Sequence, residues 1–303
     1  MKNSMFVINP AADRGHAGQN APALRALAYD FGGADWQVTE YPGHAVRLAR
    51  NAARHGYETI VALGGDGLIH EVVNGLMSIP DGDRPALGIV PLGSGNDMAF
   101  NSGVGMDSKV AVQRAMRGNL VSIDVGVISD TSGRVRYFCN VAGMLFDAAS
   151  LIQSMRITVL RGFSMYLAAI IRAIIENYDA THFMMTVDGD VSELDLIMLT
   201  LGNGAREGGG FAVTPDAKNY DGQLDYLMVT PISRIMMLRL LPEVMRGTHA
   251  RFGCVSLGSF RSMRLKADRA IPIHLDGELW TNYKDNVRQV SIEVLPGVLS
   301  LRR

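Results

Sequence analysis

The chain has 303 residues, 48% of them hydrophobic, and its 29 Lys and Arg against 30 Asp and Glu leave a formal net charge of −1. That length suits about two domains with real cores, and the charge balance excludes a global attraction to nucleic acid or an anionic surface. Lysine occurs only at positions 2, 109, 218, 266 and 284, never after a glycine, which excludes a Walker A loop.

From the N-terminus, "MKNSMFVINP" has too short an apolar run for a secretory signal and reads as a first strand ending at Asn9-Pro10. Leu24, Leu27, Ala28 and Phe31 then share one helical face. "DWQVTE" (35 to 40) is a second strand, followed by a helix that stops near Gly56. "TIVAL" (59 to 63) feeds the glycine cluster "GGDG", after which Ile69, Val72, Val73, Leu76 and Met77 mark an amphipathic helix. "ALGIV" (86 to 90) repeats the plan through "PLGSGND", and Ser108 caps a further helix ending at Gly118. This βαβα order predicts a mostly parallel, doubly wound sheet over 1–125.

After about residue 120 helices become few. Asp188-Gly189 joins two strand-like runs in "MMTVDGDVSELDLIMLTLGNG", a strong hairpin signal. The runs at 224–229, 262–267, 271–278 and 290–301 extend an antiparallel, sheet-rich region, with one helix around 232–246. A second, β-rich domain over 126–303 follows, its C-terminal segment free to return to the first domain. The longest apolar stretch, 162–178, is interrupted by Arg172 and falls short of the roughly 20 residues that span a bilayer. It reads as a helix that is buried or borders a membrane-facing cleft. The Met-rich run 234–245 reads as core before lipid contact. Cys139 and Cys254, far apart in strand-like contexts, read as buried thiols of a cytoplasmic protein.

A strand, a glycine turn and a helix N-terminus present backbone N–H groups and the positive end of a helix dipole, the natural receptor for phosphate. Gly64, Gly65 and Gly67 do not complete G-x-G-x-x-G, since His70 takes the last position. "GSGND", Gly93 to Asp97, is a second such loop, with the hydroxyl of Ser94 as an added donor. Each loop carries an aspartate, Asp66 or Asp97. Alone, an Asp-Gly pair caps a helix or makes a turn. Two at equivalent strand ends point to Mg²⁺ between carboxylate and phosphate oxygens.

"GGDG" followed by "LIHEVVNGL", "PLGSGNDMA" and a late "LDGE" resemble the diacylglycerol kinase catalytic-domain family, the soluble lipid kinases that include sphingosine and ceramide kinases. The resemblance runs through "INPAADRGHA", "VTEYPGHA", "NGAREGGGFAVTPDAKNYDGQLDYLMV" and "RGTH", nearly the whole chain. It implies a nucleotide-binding α/β domain beside a β-sandwich-like domain, and transfer of the γ-phosphoryl group of ATP to a hydroxyl of diacylglycerol or a related lipid.

By motif, the resemblance brings Asn9, Pro10, Ala11, Ala12, Asp13 and Thr39 to the nucleotide, together with Gly64, Gly65, Asp66, Gly67, Leu68, Ile69, His70 and Glu71 and with Gly93, Ser94, Gly95 and Asn96. It gives Asp66 and Asp97 the catalytic Mg²⁺, and Asp276 or Glu278, by preference Glu278, the role of base. It assigns a structural Mg²⁺ to the side chain of Asp221 and the carbonyls of Lys218 and Gln223, a loop that the residues alone read equally as a turn. It further implies a protein peripheral to the membrane, in transient contact with its surface, and a homodimer. Two departures stand out. The family's threonine after "GGDG" is Leu68, which removes a hydroxyl beside the phosphate, and its opening-loop glycine is Asp13, a further anion; either would weaken or redirect nucleotide binding.

The alternatives are an NAD kinase, which shares the "GGDG" loop and two-domain plan, and a weakly active nucleotide or lipid sensor. "HEVVN" lacks the second histidine of a zinc-protease helix, and the histidines at 16, 44, 55, 182, 249 and 274 show no metal-ligand spacing.

Overall fold

The computed structural model describes residues 2–157, 159–160 and 162–303. They divide into two compact units, Met1–Val125 with Pro296–Arg303, and Gly126–Leu295.

In the first unit β1 (Lys2–Ile8), α1 (His16–Asp30), β2 (Asp35–Val38), α2 (His44–Arg54), β3 (Tyr57–Gly64), α3 (Asp66–Leu76), β4 (Ala86–Pro91), α4 (Asp97–Asn101) and α5 (Ser108–Arg117) lead into β5 (Leu120–Asp130). The strands run parallel in the order β2-β1-β3-β4, with Ile8 opposite both Val38 and Leu63 and Gly64 opposite Pro91. β3 and β4 are continuous apolar runs because both faces are covered, and residues 59–64 and 86–91 are buried throughout. Ala45, Ala49 and Ala52 keep one side of α2 thin enough to pack closely on α3. Ser108 is the first residue of α5 and not its cap. Asp107 is the cap, its Oδ1 accepting the amides of Lys109 at 2.8 Å and Val110 at 3.2 Å.

The second unit continues with β6 (Val135–Phe138), β7 (Val141–Leu145), α6 (Phe146–Ser154), α7 (Gly162–Glu176), β8 (Thr181–Val187), β9 (Asp190–Leu196), β10 (Met198–Gly202), β11 (Leu224–Val229), α8 (Arg234–Arg246), β12 (Val255–Phe260), β13 (Ser262–Ala267), β14 (Ile273–Leu275), β15 (Glu278–Thr281) and β16 (Gln289–Arg302). One antiparallel sheet has the order β12-β11-β10-β7-β14-β15; a second runs β16-β13-β8-β9. Phe183, Met185, Leu199, Leu201, Met263, Leu265, Ile273, Leu275 and Ile292 fill the space between them, a β-sandwich core. The outer face of the six-stranded sheet carries Val141, Leu227 and Val229, against which Phe146, Ala173, Ile174, Met237 and Leu240 of α6, α7 and α8 pack. The last residues of β16 belong to the first unit, where Leu301 lies opposite Leu87 of β4.

Asp188 (φ 48°) and Gly189 (φ 101°) form the expected two-residue hairpin between β8 and β9. The apolar run after it is two strands rather than one. β9 pairs with β8, whereas β10 pairs with β7 and β11, and Ile197 is the crossing point between the sheets. α6 has no counterpart in the sequence reading. It starts after Leu145 with no side-chain cap, so burial of Phe146, Ala148 and Ala149 holds it rather than a local signal. Neither cysteine is in a disulfide; Cys139 is buried and Cys254 half-buried. No described helix is long and apolar enough to cross a membrane.

Candidate active site

In the first unit the two glycine loops are neighbours because β3 and β4 are. The amide of Leu92 donates to the carbonyl of Gly64 at 2.8 Å, carrying the ladder one residue past the strands. The loops then touch: a Cβ placed on Gly93 would lie 2.4 Å from Gly65 Cα, and one on Gly65 would lie 3.2 Å from Gly93 Cα. Asn96, in the left-handed region at φ 53°, closes its loop by accepting the Gly93 amide through Oδ1 and donating Nδ2 to the Gly93 carbonyl, both at 2.8 Å. Asp66 opens α3 and accepts the Met98 amide at 3.0 Å, so it joins the starts of α3 and α4. Ser94 is exposed, Asp66 half-buried, and Asp97 buried at the first position of α4.

The opening loop lies at the same edge of the sheet. Asn9 follows β1 and accepts the Ala11 amide at 3.0 Å, while the Thr39 amide donates to the Ile8 carbonyl at 2.9 Å. The carboxyl ends of β1, β2, β3 and β4 thus present four loops together, where open α/β sheets take ligands. A backbone cradle that no side chain can enter, with the N-terminus of α3 behind it, fits a phosphate chain. The half-buried carboxylate of Asp66 beside it fits a magnesium ion.

In the second unit the two carboxylates of "LDGE" differ completely. Asp276 (φ 53°) and Gly277 (φ 83°) make the turn between β14 and β15. The Asp276 side chain is buried and accepts the amides of Cys139 at 3.1 Å, Asn140 at 2.8 Å and Val141 at 3.1 Å, while its own amide donates to the Val141 carbonyl at 2.7 Å. Its oxygens are committed to the backbone of the β6–β7 junction. Glu278 is exposed at the start of β15.

Lys218, Asp221 and Gln223 share the loop ahead of β11, where Asp221 Oδ1 accepts the Gln223 amide at 3.1 Å. Burial and the carboxylates of Asp221 and Asp216, opposed by Lys218, push the pKa of Asp225 up to about 6. The Asp221 carboxylate and the main-chain carbonyls of this loop are hard oxygens, the ligand type that Mg²⁺ takes.

The profile described as "Diacylglycerol kinase catalytic domain" matches residues 3–128, and that described as "YegS C-terminal NAD kinase beta sandwich-like domain" matches residues 141–303. A Chromohalobacter salexigens protein named "Probable lipid kinase YegS-like" is 31% identical over 88% of this chain and 82% of its own length. The chain belongs to the diacylglycerol kinase catalytic-domain family. A further member, the Bacillus subtilis protein named "Diacylglycerol kinase", is 27% identical over 92% of this chain and 90% of its own. The crystal structure of a putative diacylglycerol kinase from Bacillus anthracis superposes with a TM-score of 0.79 at 21% identity, covering 99% of this chain and 96% of that one. The two-part family fold is therefore the fold of this chain.

Within the family motifs the structure sorts the side chains. Leu68, Ile69 and His70 are buried, and the amides of Leu68 and Ile69 already donate to the Gly65 carbonyl. Leu68 turns back over β3, where its Cδ2 would stand 2.7 Å from a Cβ on Gly64. Its side chain is therefore part of the core rather than a hole beside the phosphate loop. Glu71 accepts the amides of Gly43 at 2.7 Å and Ala45 at 2.9 Å, capping α2 from a distance in sequence that no local pattern reveals. Asp13 sits at φ 46°, a conformation that glycine adopts without strain and Asp tolerates, and pairs with His16 Nδ1 at 2.9 Å. Its charge has a local partner when that imidazole is protonated.

Proposed function

We propose that this family member is an ATP- and Mg²⁺-dependent lipid kinase that phosphorylates a hydroxyl of diacylglycerol or a related membrane lipid. The observation that carries the reading is the mutual contact of Gly65 and Gly93, with Asp66 bridging to the Met98 amide. Relatives named as lipid kinases and diacylglycerol kinase support the acceptor class. ATP supplies the phosphoryl group, and Mg²⁺ neutralises charge on it, when both are bound.

The chain's own residues position and neutralise. The Gly65–Gly67 and Gly93–Gly95 backbones, with Ser94, would receive phosphate oxygens, and the partly exposed Asp66 would hold the metal. Asp97, buried at the first position of α4, would be the second carboxylate for that ion. Glu278 takes the proton from the acceptor oxygen as that oxygen bonds to phosphorus and ADP departs with the bridging oxygen. It is the accessible carboxylate of its pair, whereas Asp276 is spent on three amides.

The same reading includes transient contact with a membrane surface. On α7 and α8, Ile175, Ile235 and Leu238 are exposed to 66%, 80% and 47%, and Arg172, Arg234 and Arg239 lie on the same two helices. Exposed apolar side chains with interspersed cations suit a bilayer interface.

The deciding experiment incubates the purified chain with labelled ATP, Mg²⁺, NAD and dispersed lipids. Label in a lipid product is expected. Label in NAD would overturn the lipid reading in favour of an NAD kinase, and label in no acceptor would favour a nucleotide or lipid sensor.

A further inference from the structure

A buried polar cluster in the second unit involves none of the residues to which a role was given above. Thr200 of β10, Gly143 of β7 and His274 of β14 stand opposite one another across three adjacent strands. They alternate with Leu199, Leu201, Met144, Ile273 and Leu275, which point into the sandwich, so this row lies on the helix-covered face of the sheet. Gly143 is the floor of the row. A Cβ there would fall 2.1 Å from His274 Nε2 and 2.3 Å from Asp147 Oδ2, so only glycine lets Asp147, in the first turn of α6, fold back between its neighbours.

His274 Nε2 lies 3.3 Å from Asp147 Oδ1 and 3.9 Å from Glu207 Oε2, and the three side chains are 5%, 11% and 16% exposed. One ligand atom from each lies within 4.8 Å of the others. The Thr200 hydroxyl donates to Asp147 Oδ2 at 2.5 Å, which turns Oδ1 toward the imidazole. His274 is 4% exposed and its Nδ1 has no hydrogen-bond partner, so the cluster alone orients the ring through Nε2.

The geometry points to a divalent transition-metal site, of the Zn²⁺ class, formed by Asp147 Oδ1, Glu207 Oε2 and His274 Nε2. Bonds of about 2.0–2.2 Å in a tetrahedron place ligand atoms roughly 3.3–3.6 Å apart; the Asp147–His274 separation of 3.3 Å meets this, the His274–Glu207 separation of 3.9 Å is wider by a few tenths of an ångström, and all three atoms lie within 4.8 Å of one another. One imidazole and two carboxylates suit zinc or its first-row neighbours, and a hydroxyl holding the outer carboxylate oxygen is the usual support for a ligand. The ion fastens the first turn of α6, the loop after β10, and β14 two residues ahead of the Asp276 turn. This site shares no ligand with the Asp66 loop or with Lys218, Asp221 and Gln223, and the inference does not rest on kinase activity.

The test is direct metal binding by the full chain after removal of metals with a chelator, read by Zn²⁺ calorimetry and by the visible absorption of added Co²⁺. One tight Zn²⁺ per chain and an intense, tetrahedral-type Co²⁺ spectrum are expected. Both should disappear in His274→Gln and Glu207→Gln and persist in Asp66→Asn and Asp221→Asn. Thr200→Val should weaken binding by about 10–100-fold. Circular dichroism identifies variants that fold, and Glu207→Gln, in a loop at the edge of the cluster, serves if His274→Gln does not. Absence of Zn²⁺ and Co²⁺ binding in the wild type, or an unchanged spectrum in the folded variants, overturns the assignment.

Discussion

Gly93 rests against Gly65 so closely that position 93 has no room for a methyl group: the Cβ of an alanine there would fall 2.4 Å from Gly65 Cα, whereas one on Gly65 would meet Gly93 Cα at a tight 3.2 Å. The neighbour is backbone and cannot swing away. Gly93→Ala should therefore force the two phosphate loops apart. Overpacking of this kind costs about 1–3 kcal/mol, and nucleotide affinity should fall at least ten-fold. Thermal unfolding and a nucleotide titration read the two effects separately; wild-type affinity in the variant would show that the contact does not shape the site.

Asp66→Asn and Glu278→Gln should abolish phosphoryl transfer while leaving the fold intact. The Asn side chain keeps an oxygen for the Met98 amide, so the junction of α3 and α4 survives while the charge is lost. Glu278 is exposed, and Glu278→Gln should change stability by no more than about 0.5 kcal/mol. A lost general base typically costs about 10²–10⁴ in rate. Wild-type turnover in either variant sinks the corresponding assignment.

Asp276→Ala should behave as a stability variant. It leaves the buried amides of Cys139, Asn140 and Val141 without their acceptor. At about 1–3 kcal/mol for each unsatisfied group, the loss should be at least about 3 kcal/mol. Urea denaturation measures it, and a loss under 1 kcal/mol would contradict the clamp.

Asp225 sets a pH dependence whose sign is fixed by its pKa of about 6, raised by burial and then by Asp221 and Asp216. The folded chain holds this proton more tightly than the unfolded one. The group's contribution is thus complete below the ordinary carboxylate value and is lost as pH rises toward 6. With divalent ions removed, Asp225→Asn should be more stable than the wild type at pH 7 by on the order of 1–2 kcal/mol, with no gain near pH 4. Mg²⁺ should shrink that difference by supplying the missing positive charge. A denaturation series at both pH values, with and without Mg²⁺, checks all three outcomes.

Leu68→Thr, which restores the family's residue, should not tighten nucleotide binding. Leu68 is 6% exposed and packed over Gly64, so a hydroxyl introduced there enters the core. A stability loss of roughly 1–3 kcal/mol is expected from smaller volume and a buried polar group. Isothermal titration with nucleotide decides it.

The sequence by itself determined what local periodicity and turn chemistry can carry. The apolar runs 59–63 and 86–90 announced parallel strands, the spacing from Ile69 to Met77 announced α3, Asp188-Gly189 announced a hairpin, and the glycine clusters were legible as turns that open helices. Tertiary structure alone decided which polar groups are buried and which exposed, because that depends on partners remote in the chain. It buried Leu68, Ile69 and His70, gave Glu71 to the first turn of α2, and separated the exposed Glu278 from Asp276, whose partners lie more than a hundred residues away. It also split one apolar run between two sheets at Ile197 and built α6 from packing without a capping signal. Nothing in the spacing of Asp147, Glu207 and His274 marks them as neighbours. The register of β10, β7 and β14 brings their elements together, and Gly143 leaves the room in which they meet.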